Sequence, residues 1–205
     1  RIAQKHVDFK EAEVLDIGCA YGFLLDEIRK KGSRVTGIDY SEGPVDWMKK
    51  NLHINGYNGS ISNLKKKKYD VVIISETIEH ISDIKVFMSS VFEILKPGGI
   101  FIIITGDCDS IVARLLGKYW WYLNPPDHCS IYSSRALNFL VTNNGMRVLT
   151  HKIFPYHWVN FDNFLLKIAR VFNNRFIAKI SERIFSFSFP VFHFTTQFLV
   201  AKKNN

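Results

Sequence analysis

Residues 13–22 read EVLDIGCAYG. The first five form a short, mostly apolar run that stops at Gly18, the pattern of a strand. Residues 23–31 then place Phe23, Leu24 and Ile28 on one helical face, and Gly32 ends them. Strand, bend and helix in immediate succession open an α/β sheet. Gly18 and Gly22 allow a sharp turn and a close backbone approach to a ligand, because neither carries a Cβ. The helix that follows aims N–H groups and the positive end of its dipole at that same place.

The pattern repeats outward. Residues 34–38 are a second strand, closed by Asp39, and 43–55 a helix with Pro44 in its first turn. A third strand is expected at 59–62. Residues 69–75 (YDVVIIS) are nearly all apolar, as in strands buried on both faces of a parallel sheet. A helix over 83–95 stops at Pro97-Gly98-Gly99, and 100–105 is the fifth strand. Such alternation implies a parallel sheet with right-handed crossovers, a doubly wound Rossmann-like three-layer sandwich. Beyond it, 107–127 is aromatic and turn-rich. Residues 133–143 read as a helix capped by Ser133 or Ser134, 147–154 and 194–201 as strands. No linker divides the chain. One domain over 1–205 is expected: a cofactor-binding half at about 1–106, acceptor-side and cover elements at about 107–193, and a final strand at 194–203.

Three features converge on a nucleoside-containing cofactor. The 16–22 loop is one. Asp39, at the end of the second strand, is the next, since a carboxylate there accepts hydrogen bonds from ribose hydroxyls. The third is the meeting of strands one, two and four at a topological switch point, where such sheets bind ligands. The dinucleotide spacing GxGxxG is missing; the glycines run Gly18-x-Ala20-x-Gly22. S-adenosylmethionine carries no phosphate, and Asp16 suits its ammonium while loop amides suit the remainder of its methionine end.

These residues resemble a known family. VLDIGCAYGFLLDEI and VTGIDYS are similar to motif I and the acidic loop of class I S-adenosylmethionine-dependent methyltransferases. YDVVIISETIEHISD resembles the fourth strand of their small-molecule branch, with its Glu-His pair, and LKPGGIFIIIT the next helix–strand junction. GKYWWYLNPPDHCSIYSSRALNFLVTNNGMRV resembles the segment after strand five in ubiquinone-methyltransferase-like enzymes, including relatives that modify cell-surface sugars or lipids. The resemblance covers about residues 12–150. It implies a seven-stranded sheet with 194–201 antiparallel beside strand five. It also implies that Asp16, Gly18, Cys19, Ala20 and Gly22 line the methionine side, Asp39 holds the ribose and Tyr40 flanks the adenine. Ser75 and Glu76 lie beneath the transferring methyl group. Ala20 replaces a common glycine, and Ser60 stands where many relatives carry an aspartate for the adenine amino group. The product is S-adenosylhomocysteine, and no metal is expected.

On the acceptor side, His128 is the candidate general base, because an imidazole takes a proton near neutral pH. A packing role is the alternative, and a sulfonium donor needs little base once the acceptor is aligned. His80, beside Glu79, either touches the acceptor or caps the next helix. Trp120, Trp121 and Tyr122 either wall an acceptor pocket or cover the core. The run Asn124-Pro125-Pro126-Asp127 differs from the NPPY motif of DNA adenine methyltransferases in place and in its last residue.

Composition bounds the partners. The net charge is +8, which fits an anionic partner or a lysine-rich solvated surface. The three cysteines form no CxxC pair, so a zinc site is not expected, and a reducing cytoplasm is. No signal peptide or apolar run of membrane-spanning length is present, and a helix upstream of Arg1 is expected. Residues 162–185 carry Lys167, Arg170, Arg175, Lys179 and Arg183 around an apolar stripe. That pattern reads as a peripheral membrane contact, suited to a lipid-linked acceptor, or as a packed cover. Rival readings are a nicotinamide-dependent oxidoreductase and a non-catalytic nucleic-acid-binding module; the first lacks its glycine spacing, the second any recognisable motif.

Overall fold

A computed structural model describes residues 2–64, 67–160 and 188–204. Seven strands form one sheet: β1 (Glu13–Ile17), β2 (Arg34–Asp39), β3 (Asn55–Asn58), β4 (Tyr69–Ser75), β5 (Leu95–Gly106), β6 (Met146–Asn160) and β7 (Ser188–Lys203). Their order is β3-β2-β1-β4-β5-β7-β6. β1 to β5 pair in parallel, and β7 runs antiparallel to both β5 and β6. The doubly wound sheet, the switch point between β1 and β4, and the antiparallel last strand agree with expectation.

Period-two side-chain alternation builds the layers. Leu15, Val72, Ile74, Phe101 and Ile103 face one cluster, which α3 (Ile84–Ile94) closes with Met88, Val91 and Ile94 and α5 (Ser134–Asn143) with Leu137 and Val141. Val14, Val71, Ile73, Ile100 and Ile102 face the other. There α1 (Phe23–Arg29) supplies Leu25 and Ile28, and α2 (Glu42–Leu52) supplies Met48. Burying each such aliphatic side chain contributes about 1.5–3 kcal/mol. Central strands therefore read as unbroken apolar runs because both their faces are covered.

Several boundaries differ from expectation. β3 is Asn55–Asn58 and not 59–62. α2 ends at Leu52, where His53 takes a left-handed φ of 54°, so the chain is already extended by Asn55. β5 starts at Leu95, with Pro97 and the glycines inside it, at a register shift opposite Tyr69 and Val71. The turn-rich 107–127 stretch holds a short helix, α4 (Ile111–Leu116), capped by Ser110 accepting from the Ala113 N–H at 3.1 Å. β6 and β7 pair well beyond the expected strands, as far as Asn160 opposite Ser188. Ser133, not Ser134, caps α5. The expected helical stripe at 162–185 lies outside the described residues. Among the described residues no helix is long and apolar enough to cross a membrane.

Candidate active site

The loop between β1 and α1 is held by β2. The N–H groups of Gly18 and Cys19 donate to the Ile38 carbonyl at 2.8 and 3.2 Å, and that of Ala20 donates to Asp39 Oδ2 at 2.9 Å. Gly22 N–H donates back to Cys19 O at 2.8 Å. These four amides fasten the loop to β2 and to itself. Gly18 has a φ of 77°, and a Cβ there would overlap Thr77 Oγ1. Ala20 takes a left-handed φ of 45° without being glycine, a strained conformation that its bond to Asp39 offsets.

Asp39 is gripped on both oxygens, since its Oδ1 accepts the Ser41 N–H at 2.8 Å. Each oxygen keeps a further lone pair, as a ribose contact needs. Asp16 is 3% exposed, and its Oδ1 has no hydrogen-bond partner among the described residues. Burial first, and the Asp39 charge second, raise its carboxyl to about 7. A buried carboxylate oxygen left unpartnered is costly unless a cation meets it. The ammonium of S-adenosylmethionine fits that requirement. Cys19 is buried, and burial followed by the Asp16 and Asp39 charges pushes its thiol up to about 12, so it packs as a neutral group. Tyr40 is exposed just past β2, and Ser60 follows β3, its hydroxyl 3.4 Å from the Ser62 N–H. Sequence reasoning missed a rim of aromatic rings: Trp47 meets Tyr21 and Phe23 edge-on, each at 5.5 Å. α2 brings Trp47 there, and only its fold contact, not its spacing, reveals it.

A second group of side chains starts where β4 ends. Ser75 O accepts the Thr77 hydroxyl at 2.8 Å, so the residue blocking a Cβ at Gly18 is anchored to the strand holding the other half of the site. Glu76 follows with a left-handed φ of 48°. Its side chain is exposed, yet neighbouring protein displaces much of the water around its carboxyl. That desolvation first, then the neighbouring Glu79 charge, raises its carboxyl to about 7. Glu79 is buried and forms the hub. Its Oε2 accepts the Thr105 hydroxyl at 3.0 Å, its Oε1 accepts the Tyr122 phenol, and its carbonyl accepts the Ser130 N–H at 3.1 Å. Burial, with the Glu76 and Glu79 charges, drives the Tyr122 phenol far above its usual value, so it remains a donor.

Two histidines converge on this hub. His80 Nδ1 lies 2.7 Å from the Asp127 carbonyl, and His128 Nδ1 lies 2.6 Å from the Tyr122 carbonyl. Carbonyls only accept, so each Nδ1 donates, and Nε2 is the nitrogen left for another partner. The rings meet edge-on at 4.8 Å. One ligand atom each of Glu79, His80 and His128 lie within 4.8 Å of one another. Two imidazoles and a carboxylate suit a divalent transition metal, which sequence spacing alone does not signal. Trp120 is 4% exposed and stacks on Tyr122 at 5.3 Å; Tyr122 turns its phenol inward to Glu79, and Trp121 is exposed. The expected residues thus form two groups, one around Asp16 and Asp39 and one around Glu79.

Residues 1–151 match a family model described as a methyltransferase domain. The ubiquinone biosynthesis O-methyltransferase of Rickettsia bellii (strain OSU 85-389) is 33% identical over 111 residues, which are 51% of this chain and 46% of that protein. The protein of the same name in Coxiella burnetii (strain Dugway 5J108-111) is 28% identical over 167 residues, 75% of this chain and 71% of that one. Measured on the first of these, the match spans about half of the relative's length. A crystal structure of a SAM-dependent methyltransferase from Archaeoglobus fulgidus superposes with a TM-score of 0.67 at 20% identity, over 98% of this chain and 91% of that one, a likeness of fold.

Proposed function

The chain belongs to the class I S-adenosylmethionine-dependent methyltransferases, and from that premise we propose that it methylates a phenolic oxygen on a quinone-precursor type of small molecule. Bound S-adenosylmethionine supplies an electrophilic methyl group on a sulfonium, and S-adenosylhomocysteine is the product. Asp16 would meet the ammonium and Asp39 the ribose hydroxyls, with Tyr40 and Ser60 toward the adenine. Ser75 and Glu76 lie between the two halves of the site.

The observation that carries the acceptor reading is the locked pair of imidazoles. His128 Nε2 can take the acceptor proton, while the Tyr122 carbonyl holds the opposite N–H and steadies the imidazolium that forms. His80 and Glu79 supply a second acceptor and a nearby negative charge. A phenol, with a pKa of about 10, gives its proton to an imidazole far more readily than a sugar hydroxyl does. The names of the Rickettsia and Coxiella relatives point to the same acceptor class. A lipid-linked acceptor is part of this reading, because α4 exposes Ile111 and Leu115 on one face close to the site, with Tyr119 and Trp121 beyond them. Family membership displaces the nicotinamide reading.

The test is methyl transfer from labelled S-adenosylmethionine to a dihydroxybenzoate bearing a polyprenyl chain, read by mass spectrometry. The expected result is a product heavier by one methyl group. His128→Ala should abolish most transfer with cofactor affinity intact, and Asp39→Ala should weaken cofactor binding by about 1–3 kcal/mol. Transfer to a sugar but not to the phenol, or full activity in His128→Ala, would reject the acceptor reading.

A further inference from the structure

Gln197 is the one amide side chain buried completely in the sheet among the described residues, at 0% exposure. It sits on β7, in register with Thr105 of β5, so both side chains leave the same face of the sheet. Its amide nitrogen donates to the Gly106 carbonyl at 2.7 Å and to the Tyr132 carbonyl at 3.0 Å. Gly106 ends β5, and Tyr132 stands just before the Ser133 cap of α5. These two carbonyls are the two ends of the 107–131 segment, which carries Tyr122, Asp127 and His128. Cys108 N–H adds a bond to the same Tyr132 carbonyl at 3.2 Å.

Both hydrogens of the Gln197 amide are committed to carbonyls, so its orientation is fixed and its Oε1 can only accept. Ser134 Oγ lies 3.4 Å from that oxygen and His151 Nε2 lies 2.9 Å from it. The Ser134 hydroxyl has one hydrogen and a closer acceptor in Asp107 Oδ2 at 3.1 Å. His151 must therefore donate, which fixes a proton on its Nε2. The side chain is fully satisfied, and an apolar residue in its place would take this donor from the Gly106 carbonyl and leave the Tyr132 carbonyl with the Cys108 N–H.

We infer that Gln197, oriented by His151, is a positioning residue: it draws the neck of the 107–131 segment closed and so sets Tyr122, Asp127 and His128 over the acceptor side. It touches none of the atoms that react. Thr105, its neighbour in register, holds the body of the same segment through Glu79 and Tyr122. Neck and body are thus pinned from adjacent strands of one sheet. The inference rests on the acceptor reading given above.

Gln197→Leu and Gln197→Glu keep the approximate size of the side chain; the first removes both donated bonds, and the second leaves at most one, from a protonated carboxyl. Three quantities are compared with the unaltered chain: amide hydrogen exchange along the chain, affinity for S-adenosylmethionine, and kcat for the dihydroxybenzoate probe. Exchange should quicken by about tenfold or more at Cys108 and across 107–131 alone, and kcat should fall by about tenfold or more, while cofactor affinity is unchanged. Unchanged exchange at the neck would overturn the inference. So would quickened exchange spread equally through β1 and β4 with loss of cofactor binding, which marks plain destabilisation. If Gln197→Leu does not fold, His151→Phe keeps both donated bonds and removes the bond to the amide oxygen together with that to Asn138 Oδ1 on α5; Asn138→Ala is its control, and the confined change is expected from His151→Phe and not from Asn138→Ala. If the unaltered chain does not methylate the probe, the acceptor reading fails, while the exchange pattern still decides the clamp.

Discussion

Asp16 owes its chemistry to where β1 ends. Burial and the nearby Asp39 raise its carboxyl to about 7, and one oxygen lacks a partner among the described residues. A raised carboxylate pKa means that the free protein favours the protonated form, so ionising Asp16 costs stability as pH rises toward 7. A bound ammonium reverses that preference and expels the proton. Cofactor affinity should therefore climb between pH 5.5 and 7, with a slope approaching ~tenfold per pH unit at the acid end. Titration calorimetry in two buffers of different ionisation enthalpy measures the released proton. Asp16→Asn should bind weakly with no such slope; a slope that survives the substitution would remove Asp16 from the ammonium site. Asp16, Gly18, Gly22 and Asp39 are legible in the sequence because short-range chemistry sets them: each sits at a strand end or in the turn beside it. Glu79 as a hub is not, because its partners Thr105 and Tyr122 come from later elements and only the fold brings them in. The same holds for the shared placement of His80 and His128.

At the level of elements, strongly apolar or capped segments are legible and weakly patterned ones are not. α3 shows both its signals: an apolar face, and Asp83 at its start, whose carboxylate accepts the Val86 N–H at 3.1 Å. Asp83→Ala should lower stability by about 1 kcal/mol, measured by urea denaturation, because that N–H loses its partner. A change below a few tenths would show that solvent caps the helix equally well. β3 was expected a few residues too late: Asn55-Gly56-Tyr57-Asn58 has no apolar alternation, and it becomes a strand only by pairing with Thr36 to Asp39 of β2. α4 escapes the sequence because six residues are too few for a periodic signal, and its Ser110 cap is a local cue hidden among turn residues. The far ends of β6 and β7 are extended because each strand is the other's partner.

For the whole molecule, the charge of +8 and the exposed face of α4 point in one direction. Ile111 is 73% and Leu115 79% exposed, four residues apart on one side of the helix, with Arg114 and Lys118 nearby. Apolar side chains flanked by cations and by Tyr119 and Trp121 suit the interface of an anionic bilayer. The chain should float with phosphatidylglycerol-containing vesicles and not with purely zwitterionic ones. Leu115→Asp should weaken that association several-fold with methyl transfer to a short, water-soluble catechol unchanged. Equal flotation with both vesicle types, or no effect of the substitution, would argue against this surface.

β7 lies between β5 and β6 although it follows both in the chain. Until it is synthesised, β5 has an open edge and β6 has nothing to pair with. The hairpin of β6 and β7 must then form first and dock as a unit, or β7 must slot between two waiting neighbours. Either route joins residues such as Phe101 and Ala201 that are far apart along the chain. Topology of this kind slows folding. A nascent chain halted before β7 would have the five parallel strands β1 to β5 and yet lack Gln197. The strands that carry Asp16 and Asp39 would be paired on the ribosome before the neck of the 107–131 segment is drawn shut.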